Sequence, residues 1–378
     1  MLNINSCSRV PTRLLEKSIR IGRGGLKPSL TATKIKDMKP VSFSEITKKI
    51  MALAVILAAT FPFSSCDRLH EDLQPCQQGL RLRFVYDYNM EYANAFPSQV
   101  DCLTLLIYDK GGNYIRSVEA GRPQTADEDW RMTLDLPAGE YNLLAYGGMD
   151  CGDSSFLFSP APNTALMQNL EVYLPSELIT SPLGTDLHPL FYGQLQVSVP
   201  ENTPGSEYTD ATVYMMKDTN DIRVLLANES GLPTDVNDFV FSITDNNTRF
   251  NYENDIISID NVVYSPWAVG NAEAGILSDD SKSIVSWAEF SVSRLMADSK
   301  ATLDVVYKDN GKKVLSIPLV NILLLLKSEH YANMQAQEFL DRQSRWNLTF
   351  FLTNDGRWAG VQIIINDWIV RINDISEL

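Results

Sequence analysis

Alternation of apolar and polar residues with a period of two recurs in many short runs of this chain. In the run 79–88 every second residue is apolar, namely Leu80, Leu82, Phe84, Tyr86 and Tyr88. Side chains of a β-strand alternate between its two faces, so this pattern predicts a strand with one buried face. The turn sequence Asp109-Lys110-Gly111-Gly112-Asn113 separates two further runs and predicts a hairpin. Such a chain is expected to bury its core between β-sheets.

Short strands with turns between them predict an all-β chain built of β-sandwiches. The run 136–146, with Pro137-Ala138-Gly139 followed by Tyr141, resembles the turn-and-strand signature of transthyretin-like sandwiches. We therefore expect two tandem transthyretin-like Greek-key β-sandwich domains. The linker-like composition of 201–206 divides them into an N-terminal sandwich, 79–200, and a C-terminal sandwich, 201–378.

The second half departs from pure strand patterning in two places. From about Leu319 to Gln343, apolar residues fall at helical spacing without an internal Gly or Pro, which predicts one helix inserted in the C-terminal domain. The run 361–372 is apolar on both faces, which is typical of a central strand buried on both sides. Trp287, Trp346 and Trp368 are accordingly expected in the core.

Ahead of the strands lies a segment typical of an export signal. Lys48 and Lys49 precede an uncharged apolar run, 50–63, and two small residues stand before Cys66. The run is short for a membrane span and contains Pro62. We therefore expect 1–65 to be a leader and lipoprotein signal, Cys66 to carry the lipid, and 66–78 to be the tether.

The basic segment 1–37 fits poorly in front of a signal peptide, and Met38 would give a signal of ordinary length. We therefore expect translation to start at Met38. The alternative is a basic arm that binds nucleic acid, which would have no partner outside the cytoplasm. Residues 1–65 hold 11 of the 32 basic residues but only 3 of the 47 acidic residues. The remaining acidic chain disfavours nucleic acid as a partner.

Cysteine usage fits an exported protein. Beyond Cys66, which is assigned to lipid, the chain has Cys76, Cys102 and Cys151, and an odd number allows at most one internal disulfide. Cys102 lies within a strand pattern, where a free thiol behaves as a small apolar side chain. The candidate disulfide is therefore Cys76–Cys151, although the sequence does not establish the distance that it requires.

Five ordered runs together resemble the FimB/Mfa-type fimbrial anchor subunits of Bacteroidetes, the surface lipoproteins of type V pili. They are the runs 66–76, 79–90, 96–109 and 337–342 and the closing Ile363-Ile364-Ile365-Asn366-Asp367-Trp368-Ile369-Val370. The resemblance covers essentially the whole chain after Cys66. The residues before Cys66, Phe63-Ser64-Ser65, differ from the Leu-led motif that usually precedes a lipidated cysteine.

This resemblance implies a lipid-anchored outer-membrane protein, exposed at the cell surface, that tethers a fimbria and helps to assemble it. Sandwich subunits of pili commonly join by strand addition, in which an extended segment of one subunit completes a sheet of the next. Other fimbrial subunits are therefore the expected partners, and no cofactor or metal is expected. Which strands form the acceptor surface cannot be predicted from the pattern.

An enzyme is the main competing class, but its motifs are missing from the sequence. His70, His188 and His330 have no partner at metal-ligand spacing, and there is no Gly-x-Ser-x-Gly elbow or phosphate loop. A glycosidase stays open as an alternative because its two carboxylates need not be close in sequence.

A surface adhesin or glycan-binding lipoprotein is the remaining alternative. Trp130, Trp267 and Trp358 stand in loop contexts, where an exposed indole ring can stack on a sugar. Loop tryptophans more often cover the end of a sandwich. These three residues are the candidate ligand contacts.

Overall fold

The computed structural model describes residues 78–371, apart from 123, 150–151, 181–182, 202–207, 258–259 and 277–281. Cys66, Cys76 and Cys151 lie outside the described residues. The all-β prediction is confirmed, with sheets forming most of the described structure and three short α-helices. None of the described helices is long and apolar enough to cross a membrane.

The first sandwich packs a three-stranded sheet against a five-stranded one. The three-stranded sheet has the order β4–β1–β9 and the five-stranded sheet the order β10–β8–β5–β2–β3. Their strands are β1 (Gly79–Val85), β2 (Cys102–Asp109), β3 (Tyr114–Gly121), β4 (Met132–Asp135), β5 (Gly139–Gly147), β8 (Phe191–Val199), β9 (Thr209–Tyr214) and β10 (Met216–Lys217). The alternating apolar residues of β1 lie in the core between the sheets, as expected. Helix α1 (Phe96–Gln99) covers one end with Phe96 buried.

The resemblance in 136–146 corresponds to a specific contact. Strand β5 begins at Gly139, the last residue of the Pro137-Ala138-Gly139 turn. The Tyr141 hydroxyl donates a hydrogen bond to the Pro137 carbonyl at 2.8 Å. The Tyr141 ring is buried in the first core. The predicted hairpin is also present, since β2 and β3 pair in antiparallel fashion and Asp109 accepts hydrogen bonds from Asn113.

The second sandwich packs a six-stranded sheet, in the order β15–β16–β11–β19–β20–β21, against a four-stranded sheet, β14–β12–β17–β18. Their strands are β11 (Thr219–Asn228), β12 (Phe239–Asp245), β14 (Val262–Tyr264), β15 (Ala268–Ile276), β16 (Lys282–Ser293), β17 (Thr302–Tyr307), β18 (Lys313–Pro318), β19 (Arg345–Leu352), β20 (Trp358–Ile365) and β21 (Trp368–Arg371). Trp346 is fully buried in its core, as predicted. Trp287 is only half-buried.

The helix predicted over 319–343 is two helices. Helix α2 (Leu319–His330) ends at Tyr331, and helix α3 (Ala336–Arg342) starts after a turn. Helix α3 buries Phe339 and Leu340, so both segments contribute apolar residues to one core. The apolar residues keep a helical spacing across the turn, so the sequence pattern did not show that the helix is interrupted.

The sheets exchange partners near Asp218. Strands β9 and β10 still pair with β1 and β8, whereas β11, which begins at Thr219, pairs only with strands of the second sandwich. A fifth sheet, of β6 (Leu157–Ser159), β7 (Glu171–Tyr173) and β13 (Arg249–Asn251), combines strands from both halves. The domain boundary at residue 200 stays a proposal. The strands change their sheet partners near Asp218, after β9 and β10.

The side chain of Arg342 joins α3 to the first half of the chain. Its guanidinium lies between the rings of Tyr88 and Tyr92, at 4.2 and 4.4 Å from their centroids. It also donates hydrogen bonds to the carbonyls of Asp87 and Asn89. Such stacked and hydrogen-bonded arginines hold two surfaces in one arrangement.

The C-terminal run is a hairpin, which corrects the predicted central strand. Asn366 and Asp367 both have positive φ, 47° and 71°, and they form a two-residue turn between β20 and β21. Asn and Asp tolerate this left-handed conformation better than most residues. Strand β21 is consequently the edge of its sheet, and Trp368, expected in the core, is 49% exposed.

Cys102 is disulfide-bonded, which corrects the expectation of a free thiol. Its Sγ lies at the start of β2, 3.9 Å from the Met149 carbonyl oxygen, and is only partly buried. The strand pattern could not reveal this, because alternation indicates the face on which a side chain lies and not whether its sulfur is bonded. The pairing of Cys76 with Cys151 stays a prediction. The disulfide of Cys102 competes with this pairing if its partner is one of these two cysteines.

Candidate functional site

The first candidate surface is the C-terminal edge, defined here as strand β21, Trp368–Arg371. It is the last strand of its sheet, with β20 on one side and no described strand on the other. Trp368 pairs with Ile365 next to the turn, and Ile369 pairs with Ile364. In a two-residue hairpin the pair beside the turn exchanges both hydrogen bonds, so the N–H and C=O of Ile369 point away from β20. This edge therefore presents backbone groups that another strand can bind.

Apolar side chains continue from this edge across the outer face of the six-stranded sheet. The pairing register aligns one residue from each strand, namely Gly270, Trp287, Leu225, Thr349, Ile364 and Ile369. Ile369 is 57% exposed, and the side chains of Leu225, Trp287 and Ile364 are partly exposed. The Arg223 guanidinium lies 5.3 Å from the centroid of the Trp287 ring. The row ends in exposed apolar surface at β21.

The second candidate surface, the Trp267 groove, crosses the same sheet one row further on. It is a cavity of about 490 Å³ lined by Asp186, Asp221, Ile222, Arg223, Trp267, Glu289, Phe290, Arg345, Trp346 and Asn347. The amide of Trp267 donates a hydrogen bond to the Glu289 carbonyl at 2.8 Å, which attaches the residue to β16. Asp186 comes from the loop before β8. The groove therefore combines residues from both halves of the chain.

Charged side chains in and beside this groove are mostly paired. Arg223 lies 3.4 Å from Glu289, and Asp221 lies 3.6 Å from Lys217 and 4.0 Å from Arg345. Burial lowers the pKa of Lys217 despite its proximity to Asp221.

Asp186 differs from these paired groups. Burial, and then the charge of Asp221, raises the pKa of the Asp186 carboxyl. Within the described part of the chain, no cation lies at ion-pair distance from Asp186. Its carboxylate can therefore accept hydrogen bonds from a ligand.

The three tryptophans predicted as ligand contacts are not brought together. Trp130 stacks on Phe84 at 5.8 Å and packs against the first core. Trp358 lies in β20, edge-on to Phe350 at 5.8 Å, with a buried indole nitrogen that has no partner among the described residues. Trp267 lines a described cavity that also has polar groups. The ligand-contact role of all three stays a proposal.

Asp101, Cys102 and His188 form a cluster whose possible ligand atoms lie within 4.8 Å of one another. The His188 Nε2 is 3.1 Å from an Asp101 carboxylate oxygen. A metal site here would need the thiolate of Cys102, because thiolates rather than disulfide sulfurs bind such ions. Since Cys102 is disulfide-bonded, we assign no metal to this cluster.

Sequence patterns missed both the C-terminal edge and the partners of Trp267. The Asn366-Asp367 pair between two apolar runs was a usable hairpin signal, because these residues favour turns with positive φ. The groove had no such signal. Asp186, Asp221 and Glu289 are far apart in sequence, and they meet through the register of the sheet and the packing of the Asp186 loop against the segment 265–266.

Comparison with known proteins identifies the family. A sequence model of the fimbrillin-A associated anchor proteins Mfa1 and Mfa2 matches residues 73–374. A candidate adhesin from Bacteroides thetaiotaomicron is 46% identical over 80% of this chain and all of its own, with a TM-score of 0.75. A candidate polysaccharide-binding protein from the same species is 27% identical over 79% of this chain and 99% of its own, with a TM-score of 0.67.

The fimbrial anchor protein Mfa2 from Porphyromonas gingivalis shares the fold at 18% identity, with a TM-score of 0.59 over 78% of this chain and 99% of its own. No curated protein sequence matches. The family and the similar structures are fimbrial and adhesin proteins rather than enzymes, and this associates the chain with fimbriae at the cell surface. The expected resemblance is confirmed, and the chain belongs to the family of fimbrillin-A associated anchor proteins.

Proposed function

We propose that this protein is a lipid-anchored fimbrial subunit of the outer membrane that tethers a fimbria by strand addition at the C-terminal edge. The observation that carries the proposal is the exposed, apolar edge strand β21. Family membership supports the fimbrial role. Exposed apolar edge strands invite aggregation, and natural proteins usually cover them or place charges on them. Here Trp368 and Ile369, 49% and 57% exposed, stand on the edge, and the strand has one charged residue, Arg371, at its end.

Strand addition uses two kinds of contact that β21 offers. Backbone hydrogen bonds supply affinity, and side chains at alternate positions supply specificity. The outward amide of Ile369 serves the first purpose. The apolar row that ends at Ile369 serves the second, since a strand added beside β21 would extend that row by one residue.

Ile369→Pro should reduce capture of a partner fimbrial subunit by about tenfold or more, roughly 1.4 kcal/mol. Proline removes the one outward donor at this position but is tolerated on an edge strand. The measurement is co-purification of the intact chain with a co-expressed β-sandwich fimbrial subunit from the same cell, followed by a titration of the purified pair.

Ile369→Thr is the matched control, because threonine keeps the amide and suits a strand. It should retain most of the capture. Equal affinities for Ile369→Pro and wild type, at equal thermal stability, would show that subunits dock elsewhere.

Lipid attachment at Cys66 is supported by the sequence before it. A single acyl chain holds a protein only marginally on a membrane, so a stable tether requires at least two chains on this cysteine. Cys66→Ala should release the chain from the detergent phase into the aqueous phase after cell lysis. Retention of the variant in the detergent phase would refute the lipid anchor.

Surface exposure is supported by Asp67, Glu71 and Asp72, which resemble the acidic export signal after the lipidated cysteine of Bacteroidetes surface lipoproteins. Protease added to intact cells should then degrade the sandwich domains. Full protection of the domains would place them in the periplasm.

An adhesin is the second candidate function. The Trp267 groove is the observation that favours it, because aromatic and polar groups converge there on one open cavity. A structural relative at 27% identity is described as a candidate polysaccharide-binding protein.

A further inference from the structure

We propose that the Trp267 groove is a binding site for a neutral saccharide, with Trp267 as its stacking platform and Asp186 as its principal hydrogen-bond acceptor. This inference deepens the adhesin alternative and does not depend on strand addition. The groove is lined by residues of β16, β11 and β19, whereas the C-terminal edge is β21, two strands beyond β19 in the same sheet.

The backbone holds the two sides of the groove together. The loop that carries Asp186 packs along the segment before Trp267, where Gly184 donates a hydrogen bond to Pro266 and Ser265 donates one to Ile179. A side chain at Gly184 would collide with the Ser265 carbonyl, since an added Cβ would lie 2.4 Å from that oxygen. The approach of Asp186 to Trp267 therefore belongs to a closely packed backbone arrangement.

Trp267 supplies the apolar part of the site. Its side chain is neither fully buried nor fully exposed, and it lines the cavity. An indole presents a flat, electron-rich face, to which the C–H face of a pyranose ring can stack. In the described part of the chain, Trp267 lies in one cavity with the hydrogen-bonding side chains of Asp186 and Arg345.

The polar part of the site suits hydroxyl groups. Asp186 has no ion-pair partner among the described residues and can accept two hydrogen bonds. Arg345, with 81% of its side chain exposed, can donate several. Vicinal hydroxyls of a sugar are spaced for such paired donors and acceptors. Asn347 adds an amide with both functions.

Charge favours a neutral sugar over an acidic one. The lining has three carboxylates, Asp186, Asp221 and Glu289, against the two guanidiniums of Arg223 and Arg345. Arg223 is already paired with Glu289, and Asp221 lies near both Lys217 and Arg345. Asp186 has no ion-pair partner among the described residues, and its carboxylate would repel the carboxylate of a sialic or uronic acid that approached it. A volume of about 490 Å³ lies within the range of small-ligand sites.

The test is calorimetric titration of the intact, detergent-purified protein with maltohexaose, mannohexaose, N-acetylchitohexaose and, as the acidic probe, sialyllactose. At least one neutral oligosaccharide should bind, and sialyllactose should bind more weakly. Trp267→Ala should weaken binding of that neutral probe by about tenfold or more, equal to ~1.4 kcal/mol. Trp368→Ala, which removes a half-exposed tryptophan outside the groove, should leave the affinity unchanged.

Asp186→Asn distinguishes loss of the site from loss of the fold, because Asp186 is a surface residue with only a partly shielded carboxyl and asparagine conserves its shape. This variant should keep the thermal midpoint of the wild type and bind several-fold more weakly. The inference fails if no neutral probe binds at millimolar concentration, if sialyllactose binds best, or if Trp267→Ala and Asp186→Asn both keep the wild-type affinity. Subunit capture by these two variants should be normal, so failure here would leave strand addition standing.

Discussion

Replacement of Arg294 by methionine should lower the free energy of unfolding by about 3–5 kcal/mol, because it leaves a buried carboxylate without its counter-charge. Arg294 follows β16, and its Nε and Nη2 donate to the two carboxylate oxygens of Asp341 at 2.8 and 2.9 Å. The two side chains are only 13% and 5% exposed. Arg294 also donates to the carbonyl of Asn254 at 2.9 Å, a bond that methionine cannot make.

The chain contains a matched control for this substitution. Arg81 binds Asp210 in the same two-pronged geometry, with N–O distances of 2.7 and 3.0 Å, but the two side chains are 48% and 69% exposed. Solvent screening makes exposed pairs nearly neutral for stability, so Arg81→Met should leave the unfolding midpoint unchanged. The comparison separates the effect of burial from the effect of pairing.

Urea denaturation of the intact protein, followed by tryptophan fluorescence, measures both variants. Arg294→Met should shift the midpoint by roughly 1 M, since a chain of this size loses several kcal/mol of stability per molar urea. Equal shifts for the two variants would mean that the buried ion pair contributes no more to the stability of the protein than the surface ion pair does. Arg294→Lys should recover only part of the loss, because lysine cannot bind both oxygens at once.

Period-two alternation predicted most of the strands, because one face of each strand packs on the core and the other meets solvent. Strands β1, β12 and β19 show this alternation of buried and more exposed residues, whereas β5 is buried on both faces. The pattern failed where a continuous apolar run contains a turn, because apolar composition does not show that the chain reverses direction. Residues 361–372 are apolar on both faces, yet two residues with positive φ turn the chain back on itself. Composition therefore concealed a hairpin that the Asn366-Asp367 pair could have indicated.

The candidate sites were less predictable than the fold, for a geometric reason. Trp267 was singled out from its loop context, but nothing near it in sequence indicates Asp186 or Arg345. These residues meet because β11 pairs with β16 and β19 in one register and because the loop at 184 packs against 265. Trp368 was assigned to the core from its strand pattern. Its exposure depends on which strand is last in the sheet, and that order is a property of the tertiary structure.

The Arg294–Asp341 pair belongs to a buried polar cluster at the crossover between the sandwiches. Asp218, which links β10 to β11, is fully buried, and its Oδ1 accepts a hydrogen bond from Asn254 at 2.9 Å. Its Oδ2 is buried with no hydrogen-bond partner in the described part of the chain. Burial raises the pKa of Asp218 to about 7, although Arg294 and the Asn254 hydrogen bond oppose the change. The crossover therefore contains a carboxyl group that folding disfavours in its charged form.

Asp218→Asn should stabilise the protein at neutral pH and leave its stability nearly unchanged near pH 4. The unfolded chain releases the Asp218 proton near pH 3.8, whereas the folded chain holds it up to about pH 7. The folded state thus binds more protons across this window, and the free energy of unfolding of the wild type falls as pH rises through it. The difference between the two pKa values corresponds to about 4 kcal/mol at ~1.4 kcal/mol per pKa unit, as an upper estimate.

Asparagine keeps the shape and the acceptor for Asn254 but has no charge to bury. The gap in unfolding free energy between Asp218→Asn and wild type should therefore be small at pH 4, widen up to about pH 7 and level off above it. Urea titrations at pH 4, 5.5, 7 and 8.5 measure this gap directly, and the subtraction removes other carboxylates that titrate alike in both proteins. A gap of constant size at all four pH values would show that Asp218 is ionised in the folded protein throughout, with its charge compensated at the crossover.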